Sequence, residues 1–103
     1  DYFRLNQRIH NGIIALTGNA VLINTYAELM RKIRRARYAA IMSQARWDES
    51  VHEHEDLMNA LVDRDGVRAG ALLLRHVRET GEAVRSSIEA ENAQSAAATE
   101  TAA

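Results

Sequence analysis

Residues 19–41, NAVLINTYAELMRKIRRARYAAI, decide the fold class. Leu22, Tyr26, Leu29 and Ile33 recur at intervals of three and four, which places their side chains on one face of an α-helix. The stripe continues through Arg37 to Ile41, while Arg31, Lys32, Arg34 and Arg35 crowd the exposed face. Asn19 stands just ahead of the run and offers the side-chain oxygen that a helix start needs. Gly18 before it tolerates the left-handed backbone that closes a preceding helix.

That preceding helix is predicted from Tyr2 to Thr17, with Leu5, Ile9, Ile13 and Leu16 as its stripe. Downstream, Ser43 to Asp48 is polar apart from Trp47 and reads as a break. Ser50 followed by Glu53 has capping-box spacing and predicts the start of a third helix. Val51, His54, Met58 and Leu61 share its inner face, and it should stop around Asp63 to Gly66. Asp65 then caps a fourth helix whose inward positions are Ala69, Leu72, Leu73, His76, Val77, Val84 and Ile88. Gly81 lies inside it, costs about 1 kcal/mol relative to alanine, and marks a place for a bend. Residues 91–103 contain no large apolar side chain and are expected to form a disordered tail. The expectation is therefore an all-α antiparallel helix bundle over residues 1–90, followed by that tail.

Composition narrows the function. The 103 residues hold 13 basic and 14 acidic side chains, a net charge of −1. Nothing in that balance favours a stand-alone nucleic-acid binder. Cysteine is absent, which excludes disulfides, thiolate metal sites and cysteine nucleophiles. No apolar run approaches a membrane span. The chain opens on Asp1 inside a helical pattern, without methionine, so a piece of a longer, cytoplasmic protein is expected.

The chemistry lies in the histidines. His10, His54 and His76 sit on three different predicted helices, each on or beside the apolar stripe. His52 is roughly 200° around the helix from His54 and faces away from it. Neutral imidazoles collected from facing helices are good ligands for zinc, nickel or copper. Asn6 lies one turn before His10, ~6 Å along the axis, so an amide oxygen and an imidazole share one face. The competing reading is a helical dimerisation or interaction module whose histidines are simply hydrogen-bonded in the core. Enzyme templates do not complete. His52-Glu53 begins a His-Glu-x-x-His motif, but Asp56 stands where the second histidine belongs. Glu49 to His52 is the one Glu-x-x-His unit where a di-metal site needs two. Arg37, on the inner stripe, has a planar fork of donors suited to an effector carboxylate, or else lays its stem over the core.

Asn6-x-x-x-His10, then Gly18-Asn19, resembles the start of the FCD domain, the effector-sensing domain of FadR-type GntR transcription regulators of bacteria. Glu53-His54, Ala60, Asp65, Ala69 and His76 resemble the rest of that family's signature, and the likeness covers about Tyr2 to Ile88. The resemblance implies a bundle that holds a divalent metal, zinc or nickel, at Asn6, His10, His54 and His76. It further implies a small organic acid effector and a homodimer. Operator DNA would be met only through a winged helix-turn-helix domain missing from this chain. Helices that the family carries ahead of the Asn6 helix are missing too, so the bundle is expected to be truncated on its N-terminal side.

Overall fold

The computed structural model describes residues 1–102, and all its regular structure is helical. Helices α1 (Tyr2–Ala15), α2 (Ala20–Ile41), α3 (Gln44–Val62) and α4 (Gly66–Ala102) follow one another through short turns. Neighbours run antiparallel. Phe3 of α1 meets Tyr38 near the end of α2, with ring centroids 5.2 Å apart. Arg46 near the start of α3 reaches Thr80 of α4, whereas Leu57 and Ala60 near its end cluster with Ala69. The most extensive packing is of α3 and α2 against α4. The expected all-α bundle is what the chain forms.

The turns follow from local chemistry. Asn19 Oδ1 accepts the Leu22 amide at 3.0 Å, and Asp65 Oδ1 accepts that of Arg68 at 3.0 Å. Gly18 takes the left-handed conformation with φ 63°. At the end of α3 the same role falls to Arg64, with φ 55°. There the Asp65 amide bonds back to the Ala60 carbonyl at 2.9 Å and the Arg64 amide to that of Leu61 at 3.1 Å. These are the two bonds of a Schellman closure.

Three expectations need correction. Helix α3 begins at Gln44, six residues before the Ser50 start, because the residues of the expected capping box have other partners. Ser50 Oγ lies 2.7 Å from the Tyr2 hydroxyl, and Glu53 pairs with Arg46 and His76. The supposed tail is helical: α4 runs through Gly81 and on to Ala102 without a break. Alanine is the strongest helix former, and no proline or further glycine interrupts the run. Arg35 of α2 also ties this extension down through an ion pair to Glu91; Ala103, the last residue assigned to the tail, lies outside the described residues. Finally, His54 is buried as expected, but beyond it the inner face of α3 is one position out of phase with the expectation. Leu57 and Ala60 are buried, while Met58 and Leu61 are exposed. Leu5, Leu16, Leu22, Leu29, Val77 and Ile88, also assigned inward, are exposed as well.

The interior is unusual in kind. Buried apolar residues are Phe3, Ala40, Ile41, Leu57, Ala60, Ala69 and Val84. Asn6, His10, Arg37, Arg46, Ser50, His54 and His76 are buried beside them. A core built for stability alone would not bury as many polar residues as apolar ones, since each must find a partner or cost free energy.

Candidate metal and ligand site

Three helices aim their histidines at one point. His10 from α1, His54 from α3 and His76 from α4 each offer a ring nitrogen, all within 4.8 Å of one another. His10 Nε2 lies 3.3 Å from His54 Nε2 and 3.1 Å from His76 Nε2. Tetrahedral zinc with Zn–N bonds of about 2.05 Å requires nitrogens about 3.3 Å apart, so the spacing suits one small ion. His52 stays out of the cluster, its side chain 79% exposed.

The outer nitrogens of two rings are held. His76 Nδ1 lies 3.0 Å from Glu53 Oε1, a separation that requires the nitrogen to carry the proton and donate it. That leaves Nε2 bare and pointing inward, the arrangement found behind metal-bound histidines. Glu53 is in turn gripped by Arg46, whose Nη2 lies 2.7 Å from Oε1. Arg46 also donates to the His76 carbonyl at 3.3 Å and to Thr80 Oγ1 at 2.7 Å, so one guanidinium clamps α3 to α4 directly behind the ligand. Burial works against the charge on Glu53, but hydrogen bonds from His76 and Arg46 prevail and hold its carboxyl below the usual range. On the other side, His54 Nδ1 lies 3.4 Å from the Tyr2 hydroxyl, itself 2.7 Å from Ser50 Oγ.

Burial keeps His10 and His54 neutral. It is the largest cause that lowers His10 to about 3, followed by the neighbouring His76, His54 and Arg37. Burial and His76 likewise lower His54 to about 4, against a smaller opposing pull from Glu53. Neutral imidazole is the form that binds a transition metal. His10 Nε2, 3.1 and 3.3 Å from its two neighbours, can donate its proton to only one of them, and a bound cation would take that proton's place.

Asn6 is 1% exposed, and its Oδ1 has no hydrogen-bond partner. A buried amide oxygen without a donor costs about 1–3 kcal/mol, which a cation would relieve. Asn6, His10 and His76 line a cavity of about 130 Å³ together with Arg37, Tyr26 and Thr80. Arg37 is 6% exposed and pairs with no carboxylate among the described residues. Its side-chain hydrogen bond goes to the Met30 thioether at 3.0 Å, a weak acceptor. The cavity wall therefore carries a buried cation with no counter-ion. Of the residues singled out from sequence, Asn6, His10, His76 and Arg37 meet at this cavity, and His54 completes the histidine cluster. Sequence reading missed Arg46, Glu53 as a partner of His76, and the Tyr2–Ser50 pair.

The helical domain thus brings a buried trio of imidazoles to the edge of a partly open cavity, and comparison with known families gives its class. The model of the FCD domain matches residues 1–79, more than three quarters of the chain, and the chain belongs to this family. FCD domains are effector-binding regulatory domains of GntR-type transcription regulators and are not an enzyme family. No curated protein and no solved structure gives a match. Among the described residues, no helix is long and apolar enough to cross a membrane.

Proposed function

We propose that this chain is the metal-dependent effector-sensing domain of a bacterial GntR-family regulator. His10, His54, His76 and Asn6 would hold one divalent ion, zinc or nickel, and a small organic acid would bind in the adjoining cavity. The observation that carries this reading is the convergence of three inward imidazole nitrogens beside the orphaned Asn6 oxygen. The bound ion supplies a Lewis-acidic anchor for a carboxylate. The chain's own part is to orient His76 through Glu53 and to present the Arg37 guanidinium to the anion. Operator DNA is met through a winged helix-turn-helix domain outside this chain, and the working form is a cytoplasmic homodimer. This domain alone is not expected to retain DNA in a sequence-selective way.

The test is native mass spectrometry of protein purified without a polyhistidine tag. One equivalent of transition metal is expected, and stripping it should lower the melting temperature. At an ion concentration 100 times the dissociation constant, linkage supplies ~2.7 kcal/mol. Protein that neither carries metal nor binds zinc or nickel on titration would instead support a helical dimerisation module with buried structural histidines.

A further inference from the structure

A second concavity lies on the outer side of the cavity wall, in the groove between α1 and α2. It has a volume of about 240 Å³ and is lined by Gln7, Asn11, Met30, Arg31, Arg34 and Arg37. Met30 and Arg37 line the histidine-edged cavity as well, so these two side chains are the partition between groove and cavity. The partition is held by the Arg37 to Met30 contact at 3.0 Å, which a carboxylate would outcompete as an acceptor. Arg31 and Arg34 are exposed and pair with no carboxylate among the described residues, although Arg34 also lies 6.0 Å from the Phe3 ring centroid.

The charge of the whole molecule points the same way. Residues 1–41, which form α1 and α2, carry seven Arg or Lys against Asp1 and Glu28. The rest of the chain carries six Arg against twelve acidic residues. A net charge of −1 thus conceals a basic α1–α2 half and an acidic α3–α4 half. Anions are drawn to the half that contains the groove.

We propose that the α1–α2 groove is an outer subsite for small carboxylate anions that feeds the adjoining cavity across the Met30–Arg37 partition. Arg31 and Arg34 capture the anion with help from the Gln7 and Asn11 amides. Arg37 then exchanges its thioether contact for the carboxylate and passes the anion inward. The proposal rests on the reading of the cavity as an anion site.

Citrate is the probe, added to isotope-labelled protein in metal-free and zinc-loaded forms. The Gln7 and Asn11 side-chain amides and the Arg31 and Arg34 Nε–H signals should shift in both forms, and residues around His10 and His76 in the zinc form. The double variant Arg31→Gln/Arg34→Gln should lose the outer shifts and slow citrate association with the zinc form about tenfold, with a weaker dependence on salt. Met30→Ala, which thins the partition, should speed both association and dissociation. Inner shifts with unchanged rates in the double variant would overturn the outer subsite and leave the cavity reading intact. No shifts in either region would overturn both.

Discussion

Glu53 Oε1 stands 3.0 Å from His76 Nδ1 and 2.7 Å from Arg46 Nη2, so one carboxylate oxygen joins a candidate ligand to a buried arginine. The three residues form a single electrostatic unit whose members cannot be removed independently. Arg46 and Glu53 have side chains 5% and 10% exposed. Glu53 without Arg46 would be stranded, whereas Arg46 also reaches Glu49 at 3.1 Å and Glu79 at 3.6 Å.

Arg46→Met should therefore destabilise the fold by about 3–5 kcal/mol, the usual cost of breaking a buried pair from one side. Adding Glu53→Met should recover most of that loss, since the second charge is then gone too. Urea denaturation of the two variants checks this, with a failure of the double variant to recover counting against the pairing.

Glu53→Gln separates orientation from charge. The substituted amide still reaches His76 but holds its tautomer less firmly, and metal affinity is expected to fall about 10- to 100-fold. Competition against a chromophoric chelator measures it, while helical circular dichroism should be unchanged.

At Asn6 the expected direction is opposite. Three imidazoles and an amide leave a divalent ion with about +2, and Arg37 adds to it; an aspartate would lower that charge by one. Asn6→Asp should bind metal more tightly and an organic acid more weakly. Calorimetric titration with zinc, then citrate, reads both, and unaltered affinities would remove Asn6 from the ligand set.

Metal-free protein should lose stability in mild acid. His10 and His54 titrate at about 3 and about 4 in the fold, chiefly through burial, against an unfolded value of 6.5. Below pH 6.5 the unfolded chain takes up protons that the folded chain refuses. Stability should fall down to about pH 4, by up to about 1.4 kcal/mol per pH unit for each histidine. Thermal melts of metal-free protein from about pH 7.5 to about 4.5 test this, and His10→Gln should flatten the profile.

Arg64→Gly should stabilise the protein. Arg64 closes α3 in the left-handed conformation, which costs an L-residue about 1–2 kcal/mol and glycine almost nothing. With glycine's greater freedom in the unfolded chain set against this, a gain of about 0.5–1 kcal/mol is expected in the same urea assay.

The histidines and Arg37 were legible in the sequence because each falls on or beside a stripe of apolar residues whose period fixes its direction. Arg46 was hidden for the same reason. Positions 46, 50, 53, 54, 57 and 60 do form one helical face, but its first four members are Arg, Ser, Glu and His. Ser43 to Asp48 is polar apart from Trp47, so the first turns of α3, with Arg46 among them, read as a break. The phase error on α3 has a related origin, since Met58 and Leu61 are as hydrophobic as Leu57 and Ala60. Only contact with Ala69 decides which pair turns inward. The helical extension beyond residue 90 was misread because helix formation there needs no buried face: alanine propensity and the Arg35–Glu91 pair suffice.

Helix α4 carries His76, Thr80 and Val84 at the cavity and then continues 18 residues to Ala102. At about 1.5 Å per residue that is about 27 Å of rod, and α4 as a whole accounts for most of the molecule's 58 Å length. Mechanically it is a lever with its short arm in the site. A tilt of about 5° at Val84 would sweep the far end through about 2 Å and would have to carry or break the Arg35–Glu91 pair on the way.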